Sequence, residues 1–229
     1  MTQVAESPTL AGQAQPRRWL ELHAVFAVIA VVGVLAPVGT LGVRVLLLVI
    51  GYSVAVVVLA TRTHDPVLLT YWMVLAPLSV LMVLPDWFLS SVLGILQFPD
   101  TGAPFLDTMP LFMAFMWTVA LLPIMLIGYV MERSHGLVAA LVAVVVGGLV
   151  MFTLAELIAP AIPLWRPVDV MQVAGVAPYV LLPEVGLTIA TYLLVRGAGE
   201  RSRWATAAGV VAVPFLYLGM LTSSYQFVG

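Results

Sequence analysis

Seven apolar runs, each close to the length that crosses a bilayer, dominate this sequence. They cover roughly residues 20–37, 41–61, 66–86, 108–131, 137–159, 174–196 and 204–222. A bilayer core requires about 20 apolar residues in a helix. Lipid cannot hydrogen-bond to exposed backbone groups, and no run alternates like a barrel strand, so each run is predicted to be a helix. The predicted fold is an all-α integral membrane bundle of about seven transmembrane helices.

Composition excludes several classes of function. The chain is 62% hydrophobic and only 9% charged, which is more apolar than a soluble domain of this size could bury. A net charge of -2 without a basic cluster predicts no nucleic-acid partner. The absence of Cys excludes disulfides and thiolate chemistry, and the three His residues lack metal-ligand spacing. We therefore predict no metal and no cofactor, and a surrounding of membrane lipids.

The Arg residues predict the orientation of the bundle. Residues 1–18 are polar and end in Arg17-Arg18, so we predict a disordered N-terminal tail over 1–18 and a single transmembrane domain over 19–229. With the N-terminus inside, seven Arg residues lie on the inner side and only Arg44 and Arg166 on the outer side. This asymmetry predicts an N-in, C-out, multi-pass protein of the cell membrane.

Three acids in or beside the apolar runs are the candidate catalytic residues: Glu184, Asp86 and Glu156. Glu184 is predicted near the middle of the sixth run, where a carboxyl group must face the bundle interior, pair with a donor or be protonated. The structural alternative is a hydrogen bond to a carbonyl that Pro178 or Pro183 frees. Asp86 and Glu156 lie near the outer boundary, where an interfacial acid at a loop is the alternative. The inner-loop acid Asp65 and its neighbours are interpreted as solvated charges.

Further candidates are predicted to bind substrate. The list is Trp72, Trp87, Asp100, Asp107, Phe112, Met113, Trp117 and Tyr179. Aromatic faces stabilise cations, although ordinary helix packing is the alternative for each apolar member. Asp100-Thr101-Gly102 is also typical of a turn, and Asp107 of a helix cap. Two acids in tandem on one helix face are absent, which argues against an enzyme that binds magnesium and a diphosphate.

Two stretches repeat the same order of features. Asp86 and Glu156 each end an apolar run and precede a long connection that contains an aromatic residue, a Pro and an Asp. Each connection is predicted to be a re-entrant or interfacial loop that leads to a helix with a proline in its first half, Pro110 or Pro183. We predict a diverged internal repeat with halves at about 66–131 and 137–196. Such repeats often place a site at their interface.

These residues resemble a known family, the membrane lycopene cyclases of the heterodimeric bacterial and fused archaeal type. That family has, in each half, an Asp at a helix end, an aromatic residue, and Pro-x-Glu-Glu opening the next helix. The matching residues here are Asp86, Phe98 and Pro110-Leu111-Phe112-Met113 in one half, and Glu156, Trp165 and Pro183-Glu184 in the other. Phe112 and Met113 replace one glutamate pair, and Glu184 is displaced by one position. The resemblance implies the fold and an acid role for Glu184, but not lycopene as substrate.

Two main classes of function stay open. In the first, the protein is an isoprenoid (terpenoid- or carotenoid-like) cyclase, isomerase or hydratase. Glu184, or secondly Asp86, protonates an alkene, aromatic residues stabilise the cation, and Glu156 accepts a proton. In the second, the protein is a non-enzymatic lipid or carotenoid carrier or a small proton-coupled transporter, and the same acids bind protons or ligand. A structural subunit of a larger complex is a third possibility.

Overall fold

The computed structural model describes residues 14–229 and contains, within that range, seven helical spans long and apolar enough to cross a membrane. The helices are α1 (Pro16–Leu35), α2 (Leu41–Arg62), α3 (Pro66–Leu81), α4 (Val83–Trp87), α5 (Met113–His135), α6 (Leu137–Ile158), α7 (Pro178–Gly197) and α8 (Arg203–Val228). The third span, Pro66–Val92, joins α3, α4 and a π-helical turn at Phe88–Val92. The predicted all-α multi-pass membrane fold is confirmed.

Helix α5 is at the centre of the bundle and packs against α1, α2, α3, α6 and α7. Helix α8 completes the bundle by packing against α3 and α7. Helix α1 is peripheral, because Trp19 is its one buried residue. It begins at Pro16, so the last three residues of the predicted tail are helical, and proline suits the first turn of a helix. Residues 1–13 of that predicted tail lie outside the described part of the chain.

Helix α5 begins five residues later than predicted, at Met113 instead of residue 108. Strand β2 (Phe105–Leu106) pairs with β3 (Met109–Pro110) in a hairpin, and Asp107 lies in its turn with φ 55°. The prediction of Pro110 as a helical proline was therefore wrong, as was the prediction of Asp107 as a helix cap. Strand pairing is favoured here because the residue before a proline, Met109, is restricted to extended backbone.

Two further boundaries differ from the predictions. The third span does not end at Asp86 but continues through the π-helical turn to Val92, which shortens the connection that follows. Helix α7 begins at Pro178, after a turn in which Ala174 and Gly175 have positive φ. Pro178 is thus a first-turn residue and not the predicted kink. Pro183 does lie inside α7, as predicted.

A two-stranded ribbon joins the two long connections. Strand β1 (Leu96–Gln97) pairs antiparallel with β4 (Arg166–Pro167). The guanidinium of Arg166 donates two hydrogen bonds to the Gln97 side-chain oxygen, at 2.8 and 2.5 Å, on the exposed face. Because side chains alternate along a strand, Leu96 and Pro167 point to the opposite face. The ribbon therefore has a polar outer face and an apolar inner face.

At the end of the bundle opposite to the ribbon, Asp65 links α1 to α3 through hydrogen bonds. Its buried carboxylate accepts hydrogen bonds from the backbone N–H groups of Val67 and Leu68, at 3.1 and 3.0 Å, and so caps α3. It also accepts from the Trp19 indole at 2.7 Å and from the Gln15 backbone at 3.2 Å. The interpretation of Asp65 as a solvated loop charge was wrong, because its carboxylate connects α1 to α3.

Gly128 lies where α5 packs closely against α6 and α7. A Cβ atom there would lie 2.5 Å from the Tyr192 ring of α7 and 2.6 Å from Val144 of α6. We expect Gly128→Ala to lower the free energy of unfolding by about 1–3 kcal/mol, because the helices must separate. The measurement is a denaturant titration of the purified protein in mild detergent.

The matched control is Gly51→Ala in α2, where an added Cβ would meet no atom within 4 Å. Alanine favours a helix over glycine, so this variant should be as stable as the wild type or more stable. Equal stability of Gly128→Ala and the wild type would contradict the close packing described.

Candidate functional site

A cavity of about 130 Å³ lies where the two long connections meet the ends of the helices. The third span, α5, α6, α7 and α8 form its walls, and the apolar face of the ribbon contributes to its lining. The lining residues are Asp86, Leu89, Leu96, Phe98, Met113, Met116, Trp117, Ala120, Met151, Phe152, Ala155, Glu156, Trp165, Pro167, Tyr179, Val180, Glu184 and Tyr217. We call this the acid cavity.

The three candidate catalytic acids all line the acid cavity. Asp86, Glu156 and Glu184 are 5%, 8% and 6% exposed. Asp86 lies in α4, near the end of the third span, Glu156 lies in the last turn of α6, and Glu184 lies in the second turn of α7. Successive spans run in opposite directions, so these positions fall at one end of the bundle. Glu184 is thus nearer to a helix end than the sequence predicted.

The three carboxyl groups differ in their hydrogen bonds. Asp86 Oδ2 accepts from the indole N–H of Trp117 at 2.9 Å, and Glu156 Oε1 accepts from that of Trp165 at 2.9 Å. Glu184 Oε2 is buried and finds no hydrogen-bond partner within residues 14–229. The structural alternative for Glu184, a bond to a carbonyl freed by a proline, is therefore not seen at this oxygen.

The charge of the acid cavity is not balanced by a basic side chain. None of the described lining residues is Arg or His, and the sequence contains no Lys. The remaining lining is apolar and aromatic. Such a site is suited to hold a carboxylic acid in its neutral form and to stabilise a positive charge that forms beside it.

Three of the predicted substrate-binding residues lie at the acid cavity: Met113, Trp117 and Tyr179. Met113 and Trp117 occupy the first two turns of α5, and Tyr179 is in the first turn of α7. These helix starts face the ends of the third span and α6, which explains why they share a cavity with Asp86 and Glu156.

Two of the predicted aromatic residues do not line the acid cavity. Phe112 is fully buried in a smaller core cluster beside α2, together with Val45 and Val49. Trp72 packs against the main core, and its indole N–H is buried without a hydrogen-bond partner in the described range. Their positions are those of packing residues, which was the alternative interpretation.

Trp87, Asp100 and Asp107 also lie away from the acid cavity. The Trp87 indole donates to the Asp107 carboxylate at 2.7 Å, and both residues are exposed. Asp100 accepts a hydrogen bond from the Gly102 backbone at 2.9 Å, which is the predicted turn. These three residues stabilise the connection through their hydrogen bonds and are not part of the site.

Sequence reasoning missed Tyr217 and Phe152. Both rings pack on Trp117 with centroid separations of 5.7 Å, Tyr217 edge-on at 72° and Phe152 tilted at 49°. An aromatic residue in a membrane helix gives no signal of which neighbour it faces, so neither residue stood out. The hydroxyl of Tyr217, halfway along the last span, was the one available sign.

The acid cavity has a partly exposed wall between α5 and α6. Met116 and Ala120 on α5 and Met151 and Ala155 on α6 are half-buried, as are Leu96, Trp165 and Pro167 at the ribbon, whereas the other lining residues are buried. Both helices are membrane spans, so this wall faces lipid.

The fold and the cavity define a multi-pass helical membrane protein with a buried acid site. The model of a family described as a domain of unknown function, DUF6989, matches residues 83–228. This is more than half of the chain, which therefore belongs to that family. The match begins at the first residue of α4 and includes every lining residue of the acid cavity. No curated protein and no solved structure matches this chain.

Proposed function

We propose that this protein is an enzyme of the cell membrane that protonates a carbon–carbon double bond of an isoprenoid, of the terpenoid or carotenoid type. The product is a cyclised, isomerised or hydrated isoprenoid. One observation supports this proposal above all others: three buried carboxyl groups share an aromatic cavity, and one of them has an oxygen without a hydrogen-bond partner.

Glu184 is the proposed proton donor. In the reaction its O–H bond breaks and a new C–H bond forms at the alkene, which leaves a carbocation in the substrate and a carboxylate on Glu184. A second double bond closes a ring by attacking the cation, or water captures it. Loss of a proton to a carboxylate then restores a neutral product. No electrons are gained or lost, so the sequence of steps needs no redox cofactor.

Asp86 and Glu156 are the proposed stabilising and proton-accepting groups. The indole hydrogen bonds from Trp117 and Trp165 offset part of the cost of keeping a carboxylate away from water. A carboxylate beside the substrate attracts the positive charge of the intermediate, and this attraction is strong in a medium of low dielectric constant. The faces of Trp117 and Tyr179 add a cation–π contribution.

The size of the cavity limits what enters it. A volume of about 130 Å³ is close to that of an engineered protein cavity of about 150 Å³ that binds benzene. The acid cavity therefore holds a single ring or the end of a prenyl chain. The rest of a longer substrate would pass between α5 and α6 into the bilayer. This arrangement favours reaction at a chain end.

The proposal is tested by expressing the protein in hosts that accumulate isoprenoids of farnesyl, geranylgeranyl and lycopene length. Lipid extracts are compared by chromatography and mass spectrometry with those from the empty vector. We expect a new compound with the mass of its precursor, or heavier by one water. Identical extracts across all the chain lengths would count against an enzyme of this kind.

The partly exposed wall between α5 and α6 also fits a second candidate function, that of a carrier or transporter. An apolar molecule that copurifies without chemical change would favour a lipid or carotenoid carrier. Uptake into vesicles that depends on a proton gradient and on Glu184 would favour a proton-coupled transporter.

A further inference from the structure

We propose that the acid cavity is a binding site for hydrophobic cations, namely amphiphilic amines and quaternary ammonium compounds whose charged head enters the cavity. This inference goes beyond the proposed reaction, because an ammonium group is not a substrate for protonation. It rests on the cavity alone and holds whether the protein is an enzyme or a carrier.

The lining of the acid cavity is acidic. Asp86, Glu156 and Glu184 face one cavity, and none of the described residues around them carries a positive charge. Indole N–H groups give Asp86 and Glu156 hydrogen bonds but no charge. Charge–charge attraction strengthens as the dielectric constant falls, so a cation is the ligand that complements this lining best.

One oxygen of the Glu184 carboxyl group has no hydrogen-bond partner in the described part of the chain. This residue is 6% exposed, and its Oε2 atom finds no hydrogen-bond partner in the described range although its side chain lines the cavity. A buried polar atom without a partner carries a desolvation cost that a bound ligand can remove. The N–H group of a protonated amine would donate to this oxygen, whereas a quaternary ammonium group, which has no N–H, would interact with it through charge alone.

Aromatic rings form part of the cavity lining. Phe152 and Tyr217 each pack against Trp117 at the cavity, and Tyr179 lines it from α7. Aromatic rings that surround a methylated ammonium group are a known way to bind it, through the negative faces of the rings. Acids and aromatic faces thus favour the same class of ligand.

The route for the hydrophobic tail follows from the partly exposed wall. About 130 Å³ accommodates a small methylated ammonium head but not a long chain. The chain would leave between α5 and α6, past the small side chains of Ala120 and Ala155. The ligand class is therefore a compact cationic head on a single alkyl or prenyl tail.

The test measures binding by the purified protein in lipid nanodiscs, with empty nanodiscs to subtract partitioning into lipid. The probes are an N,N-dimethylalkylamine, the uncharged hydrocarbon that has CH in place of its nitrogen, and an alkylsulfonate of the same length. We expect the amine to bind at least about tenfold more tightly than the hydrocarbon, and the sulfonate not to bind.

Variants locate the site. Glu184→Gln combined with Asp86→Asn should weaken amine binding at least about tenfold. Asp100→Asn is the matched control, because that carboxylate lies outside the cavity, and should bind the amine as the wild type does. Ala120→Trp fills the tail route and should weaken binding of the long-chain amine more than that of a short-chain amine.

Equal affinity of the wild type for the amine and for the hydrocarbon would overturn this inference, even if the acid variants fail to fold. Unchanged amine binding by a folded acid variant would overturn it as well. The result is separable from that of the lipid-extract experiment, because binding requires no turnover. A protein that binds the amine but forms no isoprenoid product would retain the cation site and lose the proposed reaction.

Discussion

Glu184→Gln should remove product formation almost completely, with a loss of about 10²- to 10⁴-fold, which is the contribution typical of a general acid. The glutamine side chain has the shape of the glutamic acid but has no acidic proton. Because Glu184 Oε2 makes no hydrogen bond in the described part of the protein, the substitution breaks none there. We therefore expect the variant to fold and to insert into the membrane as the wild type does.

The measurement is the amount of product per amount of folded protein in the isoprenoid-producing host. Asp100→Asn makes the same change from acid to amide on the exposed connection and should leave product formation unchanged. Full product formation by Glu184→Gln would show that another group supplies the proton. Asp86, the second candidate, would then be tested in the same way.

Asp65→Ala should produce the largest loss of stability, about 3–5 kcal/mol in the free energy of unfolding, through the loss of buried hydrogen bonds and of a helix cap. The substitution leaves four donors without their acceptor: the Trp19 indole and the backbone N–H groups of Gln15, Val67 and Leu68. Each buried donor without a partner costs about 1–3 kcal/mol, and loss of a helix cap costs about 1 kcal/mol. The measurement is a denaturant titration in mild detergent.

Trp19→Phe is the companion variant, since it removes one of the four donors and keeps an aromatic ring. It should cost less than Asp65→Ala. The acid cavity is at the other end of the bundle. The folded fraction of the Asp65→Ala variant should therefore form the isoprenoid product as the wild type does. A variant Asp65→Ala within about 0.5 kcal/mol of the wild type would contradict the role of Asp65 in linking α1 to α3.

The seven spans could be predicted because the signal for each is local and large. About 20 consecutive apolar residues leave no alternative to a membrane helix. The boundaries that depend on other parts of the chain could not be predicted. The hairpin before α5 displaces its start, and the ribbon pairs Gln97 with Arg166, which are far apart in sequence.

The three acids were found for a similar reason. A carboxyl group inside a membrane protein is costly wherever it points, so its presence alone marks it as functional or paired. Its partners give no such signal. Trp117 lies 31 residues from Asp86, and the sequence predicted it as a substrate-binding aromatic residue but not as the donor to Asp86. The difference between Glu184 and the two acids that accept indole hydrogen bonds therefore required coordinates.

The two halves of the predicted repeat do not match at their prolines. Pro110 lies in a strand and Pro183 in a helix, so the two prolines are not equivalent. Phe98 comes directly after β1, and Trp165 comes directly before β4, its antiparallel partner. Trp117 is 19 positions after Phe98 in the sequence, and Glu184 is 19 positions after Trp165. Under the predicted repeat, this spacing would set Trp117 of the first half against Glu184 of the second.

The antiparallel ribbon has an evolutionary consequence. Two copies of one segment that pair in opposite directions are what a two-fold axis generates between identical subunits. A tandem duplication of a gene whose product once dimerised would leave this trace in a single chain. Copies fused in this way would be free to diverge, so that one would contribute Glu184 and the other Trp117. A cavity between two such unlike copies would differ from one side to the other, and a ligand bound in it would take one orientation.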